Sequence, residues 1–190
     1  MIPSPSRAPS RVLLFTGHLI DAPGRADPRF PSELEAAAAH AIDCAIAKIV
    51  PSIGIASAAR GGDILFHEAC RGRGIPTTIV LPFPVAEFER RSVSGLVDGR
   101  WEQRFRALIS SAERPRIVER DTSNRPNAFR ACNEMMLDLA KASDPTPTLL
   151  ALWDRRSGDG PGGTAEMVTA VNCLGGEVII IEPSSLSRSS

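Results

Sequence analysis

The feature that most constrains the fold is an alternation along the chain between two kinds of segment. Short apolar runs rich in β-branched residues, such as residues 12–16 and 53–56, are followed by longer segments with helical periodicity, at 33–50 and 62–73. Alternating strands and helices of these lengths are typical of α/β proteins built around a parallel sheet. The pattern therefore predicts an α/β fold.

Several of the predicted strands are apolar throughout, as in Val178-Ile179-Ile180-Ile181. A strand that is buried on both faces reads in this way, because helices cover both sides of the sheet. The remaining predicted elements are strands at 77–81, 116–119, 149–153 and 178–181, and helices at 99–112, 127–142 and 165–174. We predict a Rossmann-like, doubly wound, mainly parallel sheet with helices on both faces.

The length of 190 residues fits one domain. Residues 1–10 are rich in proline and serine, and residues 184–190 are mostly small and polar. These compositions predict a flexible N-terminal tail at 1–10, a single domain at 11–183 and a flexible C-terminal tail at 184–190.

The composition also limits the classes of partner that we expect. Lysine plus arginine equals aspartate plus glutamate at 22 each, which disfavours nucleic acid and acidic membrane surfaces as partners. The longest apolar runs have strand length and no signal-peptide core is present, so we expect a cytoplasmic protein with no membrane partner. The four cysteines and three histidines are dispersed, which predicts neither a metal site nor a bound cofactor.

A glycine-rich segment, Gly158-Asp159-Gly160-Pro161-Gly162-Gly163-Thr164, lies between a predicted strand and a predicted helix. Glycine lets a ligand approach the backbone closely, and free N–H groups at a helix start attract anions, above all phosphate. Gly162 and Gly163 would supply amides, Thr164 a hydroxyl and Glu166 a carboxylate. The alternative is that the glycines only form a tight turn.

Two other strand-to-helix junctions carry similar chemistry. Gly17 and His18 follow the first strand, where His18 either contacts a phosphate or ribose or has a structural hydrogen bond. The junction Arg60-Gly61-Gly62-Asp63 follows the second strand. Its glycines offer amides at a helix start and Arg60 could neutralise an anion, whereas Asp63 suits either a ligand contact or a helix cap.

A fourth junction, between the third strand and the next helix, adds an aromatic ring and two arginines. Phe83 could stack on a base or belong to the core, and of the adjacent Arg90 and Arg91 at most one should reach inward. In a parallel sheet the ends of all these strands lie along one edge, where ligands bind. Together the junctions predict a nucleotide-type pocket at that edge.

On these residues the chain resembles the SLOG superfamily of Rossmann-like domains, which includes the LOG phosphoribohydrolases. The resemblance is carried by Thr16-Gly17-His18, by Asp21-Ala22-Pro23-Gly24-Arg25, by Ala59-Arg60-Gly61-Gly62-Asp63, by Leu81-Pro82-Phe83 and by the glycine-rich segment. It implies that the chain binds or senses a nucleotide or nucleotide derivative, of the ADP-ribose type among others. It also allows a homodimer through helices that flank the sheet.

The chain departs from the enzymes of that superfamily at one motif. LOG enzymes carry Pro-Gly-Gly-x-Gly-Thr-x-x-Glu, whereas this chain has Pro161-Gly162-Gly163-Thr164-Ala165-Glu166. Glu166 thus follows Thr164 by two positions instead of three, which turns it by about 100° on a helix. Glu166 is the candidate catalytic residue for the alternative function, a phosphoribohydrolase acting on a nucleoside monophosphate. A third reading is an interaction module with no small ligand.

Overall fold

The computed structural model describes residues 11–97, 99–111, 116–118, 125–156 and 162–187, and only the backbone of residues 125–127. Within these ranges six strands form one sheet: β1 (Val12–Gly17), β2 (Ile53–Ala56), β3 (Thr77–Leu81), β4 (Arg116–Ile117), β5 (Thr148–Leu152) and β6 (Val178–Ile181). Every neighbouring pair is parallel, in the order β4-β3-β2-β1-β5-β6. The predicted α/β parallel sheet is confirmed.

The helices follow the strands in the predicted alternation. They are α1 (Glu35–Ile49), α2 (Gly62–Gly72), α3 (Val85–Phe88), a π-helix (Glu89–Val93), α4 (Arg100–Ser111), α5 (Arg125–Lys141) and α6 (Thr164–Cys173). Two short 3-10 helices cover Ser32–Leu34 and Pro183–Ser185. None of the described helices combines the length and hydrophobicity that crossing a bilayer would require.

The sheet separates two hydrophobic cores, one on each face. Alternate residues of β1 point to opposite sides, with Leu13 and Phe15 in one core and Val12 and Leu14 in the other. The first core is completed by α1, α2 and α4, and the second by α5 and α6. Because both faces of the central strands are covered, the doubly wound arrangement is confirmed.

The glycine-bearing junctions all lie at the carboxyl end of this sheet. The chain runs from β1 outward through β2, β3 and β4, then returns so that β5 pairs with β1 on its other side, with Gly17 opposite Leu152. The connection direction therefore reverses between β1 and β5. Doubly wound proteins bind their ligands in the crevice that such a reversal opens.

Candidate functional site

A cavity of about 350 Å³ opens at this reversal, and we call it the switch-point pocket. It lies between the two helix layers and receives residues from four strand ends and from α5. Of the residues predicted from sequence, six line it: Gly17, His18, Asp63, Gly162, Gly163 and Thr164. Arg60, Gly61, Gly62 and Glu166 do not line it.

His18 is held at the pocket by backbone bonds from the neighbouring strand end. Its own backbone N–H donates to the carbonyl of Leu152, and Nε2 of the ring accepts the backbone N–H of Asp154 at 3.1 Å. Nε2 also lies 3.1 Å from Oδ1 of Asp154, so this ring nitrogen meets both a backbone N–H and a carboxylate oxygen. Burial lowers the pKa of His18, so the ring is neutral at pH 7 and offers one N–H donor.

A buried ion pair closes the side of the pocket next to His18. Nε and Nη2 of Arg29 donate to the two carboxylate oxygens of Asp154 at 2.8 and 2.9 Å, and Arg29 is only 8% exposed. Burial acts to raise the pKa of Asp154, but hydrogen bonds from Arg29 and Arg156 outweigh it and hold that pKa well below its usual range. The charge of Arg29 is thus balanced within the protein.

No local sequence pattern indicates this pair, because Arg29 and Asp154 are 125 residues apart. Asp21, in contrast, was visible in the first-loop motif, and the structure shows how it orders that loop. Its Oδ2 accepts the backbone N–H groups of Arg29 and Phe30, each at 2.8 Å, while Oδ1 accepts Arg25 at 3.2 Å. Asp21 therefore fixes the backbone that presents Arg29 to the pocket.

The glycines after β2 lock two loops together. The N–H of Gly62 donates to the carbonyl of His18 at 3.1 Å, and Ile20 donates to the carbonyl of Arg60 at 3.3 Å. Gly61 has φ +98°, and a Cβ there would lie 2.5 Å from the backbone nitrogen of Ile20. Contrary to the prediction from sequence, the Gly62 N–H does not point to an anion, because it is already bonded to His18.

Arg60 extends away from the pocket toward the π-helix. Its Nη1 donates to the carbonyl of Ser94 at 2.7 Å, and its backbone N–H donates to the carbonyl of Ser92. Burial lowers the pKa of Arg60. In this structure Arg60 joins the second junction to the π-helix, which is a different position from the anion-neutralising one predicted from sequence.

Asp63 is the one carboxylate of the second junction that reaches the pocket. It is 7% exposed, and its Oδ2 accepts the backbone N–H of Ala59 at 3.1 Å. Burial raises the pKa of this carboxyl to about 7, even though the Ala59 bond acts to lower it. Asp63 thus bonds the loop that precedes α2 and does not form the helix cap that the sequence offered as one alternative, and it places a titratable group against the cavity.

The junction after β3 contributes Arg91, while Arg90 does not line the pocket. The Arg91 guanidinium lies 4.6 Å from the centre of the Phe83 ring and pairs with Glu87 at 2.7 Å. Phe83 itself is fully buried, so it belongs to the core and supports Arg91 from below. The π-helix that carries Arg91 could not be foreseen from periodicity.

The junction after β5 contributes an open helix start. Gly163 is the N-cap of α6, and within the described chain no residue accepts the backbone N–H of Gly163, Thr164 or Ala165. The hydroxyl groups of Thr164 and Thr16 lie 3.2 Å apart and both line the pocket. Residues 157–161, and with them the first part of the glycine-rich segment, lie outside the described residues.

Gly162 and Glu166 position this helix start. Gly162 has φ +82°, and a Cβ there would lie 2.6 Å from the backbone of Phe129 and Arg130 in α5. Its carbonyl accepts Nδ2 of Asn133 at 2.9 Å and its N–H donates to Glu166 at 3.1 Å. Gly162 is therefore the point where the loop is fastened to α5.

Glu166, the predicted catalytic residue, lies outside the pocket and pairs with Arg130 at 2.9 Å. Hydrogen bonds from Arg130 and from the Gly162 N–H lower the pKa of Glu166. A carboxylate held ionised by two donors, 42% exposed and away from the cavity, is a cap for the loop. The structure gives it no geometry for proton transfer to a ligand in the pocket.

One part of the remaining wall is apolar and aromatic, beside the polar Ser57, Ser92 and Asn133. Phe129 and Met136 come from α5, Phe88 from α3, and Trp153 from the end of β5. The described residues contain no group of three or more histidine, cysteine, aspartate or glutamate side chains that could hold a metal ion. The pocket therefore combines an anion-attracting helix start, two hydroxyls and a buried carboxyl with a flat apolar wall.

A larger cavity, of about 530 Å³, lies between the first loop and the start of α4. Three of the charged side chains that line it are paired, Asp21 with Arg25 at 3.2 Å and Arg100 with Glu35 at 2.7 Å. We place the candidate site in the smaller switch-point pocket, because that pocket contains the open helix start and the buried carboxyl.

Comparison with known proteins shows a distant structural likeness. No family model and no curated protein matches the chain. Among solved structures, the Moco carrier protein from Chlamydomonas reinhardtii is similar, at 15% sequence identity and a TM-score of 0.36, over 92% of this chain and 91% of that one. The assignment of the fold therefore rests on the strand order and the two cores.

Proposed function

We propose that the chain binds a nucleotide or nucleotide derivative in the switch-point pocket. The observation that carries the proposal is the open start of α6, where the backbone N–H groups of Gly163 and Thr164, unpaired within the described residues, and two threonine hydroxyls meet one cavity. A helix start of this kind binds phosphate because its N–H groups are unpaired and the helix dipole favours negative charge. The cavity volume of about 350 Å³ falls within the range of small-molecule sites.

In this proposal the phosphate lies among these groups. The amides of Gly163, Thr164 and Ala165 and the hydroxyls of Thr16 and Thr164 would surround it. Arg91 lines the same cavity and is partly exposed, so its side chain can exchange Glu87 for a ligand anion. The apolar wall of Phe129, Met136 and Trp153 would contact the base and sugar.

Membership of the SLOG superfamily is part of this proposal. It is supported by the motifs at Gly17, at Gly61 and Gly62 and at Gly162 and Gly163, which lie at three strand ends along one edge of the sheet. The function in that reading is binding or sensing of a nucleotide-derived ligand, ADP-ribose among the candidates. Its defining property is saturable binding without turnover.

The second candidate function is that of a phosphoribohydrolase, and the position of Asp63 in the pocket is the observation that supports it. In that reaction water adds to the anomeric carbon while the bond to the base breaks, so a carboxyl group must handle a proton. Asp63 lines the pocket and titrates near neutral pH, whereas Glu166 lies outside it. Chromatography of AMP incubated with the protein separates the two functions, because only the hydrolase releases adenine.

The test of binding is calorimetry with ADP-ribose, AMP, NAD and a cyclic nucleotide. For the ligand that binds, Thr164→Val should weaken affinity about tenfold, because it removes a hydroxyl that bonds a charged group and keeps the shape. Thr169→Val is the matched control, since Thr169 lies on the same helix, is exposed, and donates to the carbonyl of Ala165. The absence of binding by all four ligands, or equal losses in both variants, would overturn the proposal.

A further inference from the structure

A buried carboxyl faces a pocket whose other end is built for an anion. Asp63 follows β2 and Thr164 follows β5, and these strands lie on either side of β1. Two strand spacings separate them, roughly 10 Å. A negatively charged ligand at the α6 start would thus lie within a short distance of Asp63, across an interior that water screens poorly.

Among the described residues, no neighbouring group carries a free positive charge that would balance an ionised Asp63. Cys132 of α5 is a buried thiol whose pKa burial raises to about 12, and His67 of α2 is a buried imidazole whose pKa burial lowers to about 4. Both are neutral near pH 7, as is His18. The two arginines that line the pocket, Arg29 and Arg91, are paired with Asp154 and Glu87.

The carboxyl makes few hydrogen bonds of its own. Oδ2 accepts the N–H of Ala59, and within the described residues Oδ1 has no hydrogen bond. A neutral carboxylic acid needs fewer hydrogen-bond donors than an ionised carboxylate and can itself donate. Asp63 is therefore placed to act as an acid that keeps its proton.

We propose that the pocket binds its anionic ligand together with one proton, which Asp63 holds. This inference rests on the proposed function, and it specifies the ligand class further. The ligand carries a phosphate for the α6 start and, toward β2, a hydrogen-bond acceptor, such as a ring nitrogen, a carbonyl or a sugar oxygen. Repulsion between the ligand and an ionised Asp63 links anion binding at the α6 start to protonation of Asp63.

The linkage has a definite direction. In the free protein Asp63 loses its proton near pH 7. Binding an anion favours the protonated form, so the complex takes up a proton and the affinity falls as pH rises above about 7. His18 and His67 titrate below this range and Cys132 above it. Among these groups, Asp63 alone changes its charge between pH 7 and pH 9.

Calorimetry with ADP-ribose between about pH 6.5 and about pH 9 tests the linkage. ADP-ribose is a suitable probe because both of its phosphates are esterified and keep constant charge over this range. We expect the dissociation constant of the wild type to rise about tenfold per pH unit above pH 7, and the binding heat to vary among buffers as for uptake of one proton. The buffer measurement needs no variant.

The Asp63→Asn variant provides a second test of the proton linkage. Asparagine keeps an oxygen for the Ala59 N–H and imitates the neutral acid, so its affinity should be independent of pH and exceed that of the wild type at pH 9. Asp43→Asn is the matched control, because Asp43 lies on α1 outside the pocket, with a half-exposed side chain that pairs with Arg73 at 2.7 Å. It removes the same charge outside the pocket and should keep the wild-type slope.

The outcomes separate this inference from the proposed function. Binding of ADP-ribose with no pH dependence, or with the same dependence in Asp63→Asn, overturns the proton linkage and leaves nucleotide binding standing. The same holds if proton uptake is absent in every buffer. If neither ADP-ribose nor inorganic sulfate, used as a second constant-charge anion, binds at any pH, the anion site fails and the linkage fails with it.

Discussion

The junctions after β2 and after β5 share a sequence signature, two glycines ahead of a helix, but the structure uses them differently. After β2, the Gly62 N–H is bonded to His18 and Gly61 is packed against the backbone of Ile20. After β5, the N–H groups of Gly163 and Thr164 have no acceptor in the described chain and face the switch-point pocket. The first junction holds two loops together, and we call this contact of Gly61 and Gly62 with residues 18–20 the fastening. The second junction is an open helix start.

The difference arises from what lies opposite each junction. The long first loop crosses the start of α2 and forms a bridge between Leu19 and Gly61, which covers those glycines. At the start of α6 the same close approach is made by α5, but it meets Gly162 alone. A glycine pair therefore indicates close backbone approach, and the partner can be another loop or a ligand.

The largest expected effect comes from adding a methyl group at the fastening. Gly61→Ala should lose about 4 kcal/mol or more of unfolding free energy, because Gly61 has φ +98° and the new Cβ would meet backbone atoms at 2.5 Å. Gly24→Ala is the control, since Gly24 has φ +78° with open space around it. It should lose about 1 kcal/mol. Urea denaturation measures both, and equal losses would contradict a fastening role for Gly61.

The second largest effect concerns Asp63 and the dependence of stability on pH. Unfolded, Asp63 ionises near its ordinary pKa of 3.8, and folded it ionises at about 7. Between these values the folded state holds a proton that the unfolded state has lost, so wild-type stability falls as pH rises. Asp63→Asn lacks this loss and should gain up to about 4 kcal/mol relative to the wild type over that interval.

Denaturation at several pH values between about 4 and about 8 measures this gain directly. The gain should be complete above pH 7, where the folded carboxyl is ionised. Parallel stability profiles for the two proteins would show that Asp63 has an ordinary pKa in the folded state. Asp63 would then be as well solvated as a surface carboxylate.

A smaller effect separates the two adjacent arginines after β3. Arg91→Ala should weaken binding of the nucleotide about threefold, because Arg91 lines the pocket but is partly exposed and shared with Glu87. Arg90→Ala should leave affinity unchanged, since Arg90 is exposed and does not line the pocket. Calorimetry decides between them, and a larger loss in the Arg90 variant would place the anion elsewhere.

The smallest effect is expected at Glu166. Glu166→Gln removes the exposed ion pair with Arg130 but retains an oxygen for the Gly162 N–H. Nucleotide affinity should stay the same and the melting temperature should drop only slightly. A loss of affinity as large as that of Thr164→Val would show that Glu166 reaches the ligand after all.

Much of the fold could be read from local pattern. Runs such as Val12-Leu13-Leu14-Phe15 are buried on both faces, and helix α1 buries Ala38, Ile42 and Ile46 at helical spacing. These signals depend on neighbours in sequence, so they survive without knowledge of the tertiary structure. The edge on which the site residues gather followed from the parallel sheet.

The site could be predicted only in part, because its remaining features depend on contacts between distant segments. The Arg29–Asp154 pair joins residues in different loops, and the bond from Gly62 to His18 depends on how the first loop folds back. The direction of Arg60 is set by the π-helix, which has no signature in the sequence. Residue type indicated which groups could bind an anion, and packing decides which of them remain free to do so.

The most direct test of the two junctions is an amide NMR titration of the protein with ADP-ribose. Our prediction is that the largest shift changes fall on the N–H signals of Gly163, Thr164 and Ala165, while the signal of Gly62, whose N–H is already bonded to His18, changes little. Large changes at Gly61 and Gly62 with none at the α6 start would contradict it, because the anion would then bind at the junction that we describe as a fastening.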